Sequence, residues 1–167
     1  MIIALFGASC VGKSTITDRL VARSAMPTRR CGNEVRIAAA RHNIAAEALS
    51  LEHHREIDAA SVAWVRENAS LPGIIEGRFL DHVLSEVLPL VRLINVTVPP
   101  EIRAARWVER RPGICGDDEV KRQDDADERF RAWAYPGLVR ATARDVIEAT
   151  GDNCEWSHLL ASVLNRP

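Results

Sequence analysis

The chain has no excess of charge of either sign: 22 basic residues meet 23 acidic ones, for a formal net charge of −1. That balance supplies no general attraction to nucleic acid or to an anionic membrane surface, so neither is expected as a partner. There is no C-x-x-C pair. The four cysteines (Cys10, Cys31, Cys115, Cys154) are scattered, which argues against a zinc site and reads as a reduced, cytoplasmic protein. Long apolar runs are missing too. The run Met1-Ile2-Ile3-Ala4-Leu5-Phe6 stops early and has no basic flank, so it suits neither a signal peptide nor a membrane span. Repeats, linkers and low-complexity tracts are lacking. A chain of 167 residues suits a single domain whose core needs no disulfide or metal to hold it. Without a heptad pattern, a monomer is the default expectation.

Directly after that apolar run comes Gly7-Ala8-Ser9-Cys10-Val11-Gly12-Lys13-Ser14-Thr15. This is G-x-x-x-x-G-K-S in the setting it needs: a buried strand, a glycine-bounded loop, then a helix. The glycines let successive backbone N–H groups turn inward around phosphate oxygens, and the helix N-terminus adds partial positive charge. Residues 7–15 are therefore expected to hold a nucleoside triphosphate. Lys13 would reach its β/γ-phosphates and the Ser14 hydroxyl would sit on Mg²⁺.

Strand-like and helix-like segments alternate along the rest. Ile2–Phe6 reads as a strand and 13–23 as a helix with Ile16, Leu20 and Val21 on one stripe. Ile57, Ala60, Ser61, Trp64 and Val65 recur at helix spacing. Leu71-Pro72-Gly73 breaks the chain before a short buried strand, Ile74-Ile75, which ends at Glu76-Gly77-Arg78. Residues 91–98 form another apolar run, closed by Pro99-Pro100. Helices over 101–110 and 117–133 follow, the second capped by Asp117 or Asp118. A short strand over 145–150 and a helix over 155–164 complete the pattern. Such alternation implies an α/β fold in three layers, a parallel sheet of about five strands flanked by helices. Two segments fit this core poorly: 26–56 is polar and Ala-rich, and 110–122 is basic, then loop-like. Ligands of α/β sheets bind beyond the carboxyl ends of the strands. These segments are accordingly read as a small acceptor-binding flap and an Arg-rich lid of one domain, 1–167.

Phosphoryl transfer needs positioning and positive charge more than it needs acids and bases. Arg103, Arg106 and Arg110 share one helix face, and Arg122 and Arg129 share a face of the next. With the turn from Pro112-Gly113 to Gly116 between them, they suit closure over a polyphosphate. A solvated charged face is the other reading, because Asp124, Asp125, Asp127 and Glu128 interleave with the arginines. Glu76, at a strand end, is placed to hold a Mg²⁺-bound water, and Arg78 to project into an acceptor cleft; an ordinary strand-end turn is the alternative. Adjacent His53 and His54 point about 100° apart on a helix and do not share an ion. Cys10 reads as an inert loop residue. Trp64, Trp133 and Trp156 read as packing groups, and Trp107 as either a packing group or a base-stacking one. Asp81-His82 reads equally as pocket lining or as a helix-start acid beside a surface histidine.

Taken in order, these segments resemble the cytidylate kinases, closest to their short archaeal-type form, within the nucleoside monophosphate kinases of the P-loop kinase fold. Residues 7–15 look like that family's phosphate loop. Gly32-Asn33-Glu34-Val35-Arg36 resembles the segment opening its acceptor flap, with the acidic residue offset by one, and Arg36 would grip the monophosphate. Glu56-Ile57-Asp58, then Gly73-Ile74-Ile75-Glu76-Gly77-Arg78, resembles the stretch running into the family's E-G-R element. That places Asp58 on the acceptor side and makes Arg78 the second phosphate clamp. The helix carrying Arg106 and Arg110 is similar to the one leading into the lid, which implies Arg106 against adenine and Arg110 facing phosphates. Arg122 with Arg129-Phe130 resembles an R-E…R-Y segment whose arginines contact phosphates; Gln123 and Phe130 depart from it.

The resemblance implies an ATP- and Mg²⁺-dependent kinase acting on a small-molecule nucleotide acceptor, a pyrimidine monophosphate such as CMP, dCMP or a modified CMP. In that reading Lys13, Arg110, Arg122 and Arg129 stabilise the moving phosphoryl group, Arg36 and Arg78 hold the acceptor, and Ser14 and Glu76 hold the metal. Two alternatives stay open. A P-loop kinase of a metabolite hydroxyl would want a carboxylate base, with Asp58, Glu76 or Asp81 as candidates. A non-catalytic nucleotide-binding module would need fewer arginines.

Overall fold

Five consecutive apolar residues leave a strand no polar face. Ile2–Phe6 accordingly forms β1, buried on both sides with every residue at most 1% exposed. The computed structural model describes residues 1–149. After β1 the chain forms α1 (Lys13–Val21), β2 (Thr28–Arg30), α2 (Cys31–Arg41), α3 (Leu51–Asn68), β3 (Gly73–Glu76), α4 (Leu80–Val83), β4 (Val91–Thr97), α5 (Pro100–Arg110), α6 (Gly116–Ala134) and β5 (Asp145–Glu148). Short 3-10 turns occupy Ala46–Ala48 and Ser85–Leu90.

The five strands lie in the order β2-β3-β1-β4-β5, all pairs parallel. Alternation along β1 divides the core. Ile3 and Leu5 face Ile16 and Leu20 of α1 together with Ile74, Ile94 and Ile147. Ile2, Ala4 and Phe6 face Val65 of α3 with Leu80, Leu84 and Leu93. The sheet is thus covered on both faces, as a parallel sheet requires. Because β3 and β4 flank β1 on opposite sides, the loop after β1 emerges where the strand order reverses, the usual ligand crevice of such sheets.

The three-layer α/β expectation holds, and three details differ. Residues 28–30 of the expected flap are an edge strand of the sheet, paired Thr28 to Ile74 and Arg30 to Glu76. Three polar residues on a half-exposed edge carry no alternation for the sequence to display. The expected lid is mostly helix: α5 runs to Arg110, α6 starts at Gly116, and only 111–115 connect them. Cys115, not Asp117 or Asp118, is the N-cap of α6; the two aspartates lie in its first turn, where they complement the helix dipole. The helix expected over 155–164 lies outside the described residues. Among the described residues no helix is long and apolar enough to cross a membrane.

Candidate active site

The loop after β1 is shaped by three residues with positive φ: Gly7 (137°), Cys10 (64°) and Gly12 (101°). At Gly7 a Cβ would sit 2.3 Å from the carbonyl oxygen of Val96 on β4, so no side chain fits. Gly12 is the N-cap of α1, which aims the helix's unpaired N–H groups into the loop. Lys13 closes the loop from within. Its Nζ donates to the carbonyls of Gly7 and Ala8, 2.7 Å each. Burial brings its ammonium down to about 8; Arg78 adds to that and Glu76 opposes it.

The β3 register places Glu76 opposite Leu5, at the mouth of the loop. Its carboxylate is 7% exposed and satisfied on both oxygens. Ser14 Oγ donates to Oε1 at 2.9 Å and Thr17 Oγ1 to Oε2 at 2.5 Å. A hydroxyl beside a carboxylate is a hard oxygen donor pair. It fits Mg²⁺ held by one or two protein oxygens, waters and phosphates rather than by an all-protein cage.

Two arginines of α5, one turn apart, hold the outside of the loop. Arg103 is 8% exposed; its Nε donates to the Ser9 carbonyl at 3.2 Å and its Nη atoms to Asp124 of α6 at 2.9 and 2.7 Å. Arg106 donates to the carbonyls of Cys10 and Ala149, 3.1 Å each. Between the loop, α1 and α5 lies a cavity of about 200 Å³ lined by Gly12, Thr15, Arg19, Arg106 and Arg110 among others. On the opposite side of the loop, Ala8, Asp124, Asp127, Glu128, Arg131 and Arg140 line a second cavity of about 400 Å³.

One of the residues lining this second cavity, Arg131, rests on a pair of aromatic rings. Phe79 and Phe130 stack at 4.9 Å between centroids, and the Arg131 guanidinium lies 5.1 Å from the Phe79 centroid. Arg78 Nη1 donates to Asp127 Oδ1 at 2.7 Å. Tyr135 donates its hydroxyl to Asp58 Oδ2 at 2.9 Å. Burial pushes the Asp58 carboxyl up to about 6, and the Tyr135 hydrogen bond opposes that rise. Asp81 is fully buried and ion-paired with Arg140.

A family profile described as an AAA domain matches residues 3–130. The chain belongs to that family. Solved structures similar to this AAA-domain protein along nearly its whole length share its fold at low identity. A shikimate kinase from Aquifex aeolicus is 18% identical with a TM-score of 0.53, covering 98% of this chain and 96% of its own. A gluconokinase from Sinorhizobium meliloti is 16% identical with a TM-score of 0.58, covering 97% and 94%. A deoxyadenosine kinase from M. mycoides, solved with dCMP and a flexible dCDP bound, is 15% identical with a TM-score of 0.55, covering 99% of each chain. No curated protein matches it significantly. The fold is that of the P-loop kinases. Its similar structures serve both metabolite and nucleoside acceptors by name, so the likeness does not single out cytidylate kinases.

The structure brings Lys13, Ser14, Glu76, Arg78 and Arg106 to the loop of this AAA-domain protein, with Arg110 at the rim of the smaller cavity. Arg36 is exposed on α2 and bonded to Asn33. Arg122 is engaged by Glu119 of its own helix at 2.8 and 2.6 Å, and Arg129 is exposed on α6. Trp107 is a packing residue, clustered with Cys10, Ala104 and Val120. Burial raises the Cys10 thiol pKa, in keeping with an inert loop residue.

Sequence reasoning missed that Asp124 and Asp127 pair with Arg103 and Arg78, and set them down as interleaved surface charge. Their i, i+3 spacing, which puts them on one face, was the available signal. Arg140 carried none, because the return of the chain past α4 brings it in.

Proposed function

We propose that this protein is an ATP- and Mg²⁺-dependent phosphotransferase whose acceptor is a pyrimidine nucleoside monophosphate of the CMP or dCMP type. The observation that carries the reading is that cations flank the phosphate loop on both sides. Arg19, Arg106 and Arg110 line one cavity; Arg131 and Arg140 line the other, where Asp127, part of the same lining, holds Arg78. A donor polyphosphate accounts for the first set; a second anion accounts for the other.

In this reading the loop N–H groups and α1 receive the donor phosphates. Lys13 turns from the Gly7 and Ala8 carbonyls to the β/γ-oxygens. Ser14 and Glu76 would hold the metal, which would supply positive charge against the charge developing on the phosphate. The Arg106 guanidinium, fixed by two carbonyls, forms a wall for the donor base, and Arg110 faces its phosphates. Arg36 and Arg78 hold the acceptor phosphate in line. Its attacking oxygen is already anionic, so no base is needed, and catalysis rests on positioning and charge. Arg122 and Arg129 join the site as α5, α6 and their connection close over it and exclude water.

A second reading has one specific observation behind it. Asp58, with its carboxyl near 6 and oriented by Tyr135, has the environment of a general base for a hydroxyl acceptor. One panel separates the two: Mg-ATP with CMP, dCMP, UMP, AMP, dTMP or small sugar and cyclic alcohols, following ADP. Turnover with CMP or dCMP supports the first reading, turnover with alcohols alone the second, and silence with every acceptor overturns both.

A further inference from the structure

Asp124 and Asp127 lie one turn apart on α6, so they present one face. Each binds an arginine from a different side of the phosphate loop. Asp124 takes both Nη atoms of Arg103, whose Nε reaches the Ser9 carbonyl. Asp127 takes Arg78 through an Nη1–Oδ1 bond of 2.7 Å. The two pairs are built differently. Arg103 is the buried member of its pair, at 9% side-chain exposure, and anchors α6 to the loop. In the other pair the carboxylate is buried, at 8%, while Arg78 stays 43% exposed. Arg78 therefore has a face open to an incoming anion, and Asp127 lines the cavity from which that anion would come.

We propose, resting on the acceptor reading above, that Asp127 is a latch displaced by the acceptor's phosphate. Its carboxylate holds and neutralises Arg78 until a phosphate monoester arrives. Carboxylate and phosphate oxygens compete for the same guanidinium N–H groups. A phosphate monoester carries more charge and three oxygens, so it replaces Asp127. Before that exchange Asp127 offsets part of the Arg78 charge beside the loop, which limits transfer of the γ-phosphoryl group to water. Because Asp124 stands on the same helix, release at Arg78 is transmitted through Arg103 to Ser9, and the donor side senses that the acceptor side is filled. Asp127 is thus a positioning residue, acting through Arg78.

The test uses the full chain as wild type, Asp127→Asn, Arg78→Gln and the double variant. CMP binding is measured by calorimetry and turnover with Mg-ATP. Removing the competing carboxylate should tighten CMP binding and lower the acceptor KM by about tenfold, the scale of a charge-assisted hydrogen bond. It should also raise ATP hydrolysis without acceptor, and both effects should vanish in the Arg78→Gln background. Unchanged or weaker CMP binding in Asp127→Asn overturns the latch, as does tightening that persists without Arg78. Asp127→Ser replaces Asp127→Asn if the latter melts early. Intact CMP turnover with affinity indifferent to Asp127 sinks this inference alone. No CMP binding or monophosphate turnover by any of the four proteins sinks the acceptor reading with it.

Discussion

Ser14 and Glu76 lie 62 positions apart, yet the Ser14 hydroxyl donates to the Glu76 carboxylate across 2.9 Å. The contact joins the first turn of α1 to the end of β3 and places two hard oxygen ligands side by side at the mouth of the phosphate loop. The same carboxylate also satisfies the buried Thr17 hydroxyl. It therefore supports the fold and the metal position together.

Glu76→Gln keeps the volume and removes the charge. Its amide oxygen can accept from one hydroxyl, while its NH₂ faces the other. The Mg²⁺ concentration for half-maximal turnover should rise by about 10–100-fold, the usual scale for losing a group that orients or supports a metal ligand. A Mg²⁺ titration of ADP formation with CMP measures it; an unchanged midpoint removes Glu76 from the metal site.

Lys13→Met removes the ammonium that the loop carbonyls now hold. Loss of one preorganised charge at a developing anion costs about 10²–10³ in turnover. The same substitution deletes a desolvated charge from the folded protein, so thermal stability should hold or rise. Near-wild-type turnover with an unchanged melting curve would contradict the mechanism.

Gly116→Ala sets two effects against each other. Alanine is the better helix former by up to about 1 kcal/mol. Its Cβ would lie 2.5 Å from the Ala104 carbonyl oxygen and 2.8 Å from the carbonyl carbon, both backbone atoms of α5. Overpacking against a rigid partner costs about 1–3 kcal/mol, so the clash wins. The melting temperature should fall by roughly 2–6 °C for a chain of this size. A rise would mean that α5 and α6 separate freely.

Asp58 makes stability depend on pH. Its carboxyl holds a proton to about 6 in the folded state, against an ordinary value of 3.8. Between those values the folded chain binds more protons than the unfolded one, so this group's contribution to stability falls as pH rises from about 4 to 6. Asn at 58 still accepts from Tyr135 and does not titrate. Asp58→Asn should therefore gain on wild type with rising pH, by up to about 3 kcal/mol near neutrality. Urea unfolding at pH 4.5 and 7.5 measures the gap, and a gap that does not widen refutes the raised carboxyl. The same variant separates the two acceptor readings, since only a hydroxyl acceptor would lose turnover by about 10²–10⁴-fold.

By itself the sequence determined the layer architecture and the donor side of the site. A fully apolar β1, glycines at two of the three positive-φ loop positions and Lys13-Ser14 at the start of α1 are local features, and local spacing reads them. Helices with a clear apolar stripe, such as the one through Ile57, Trp64 and Val65, were legible for the same reason. Tertiary structure decided what depended on neighbours distant in the chain. β2 has no periodicity and exists because the edge of β3 pairs with it. The partners of α6 were set by Arg103 and Arg78, which come from elsewhere in the chain, so Asp127, which looked solvated, is buried, while Asp124 pairs from a half-exposed position. Asp58 titrates high because packing buries it, against the pull of the Tyr135 hydrogen bond. Charge identity is written in the chain, but desolvation and ion-pair partners depend on packing, and packing governs how those charges behave.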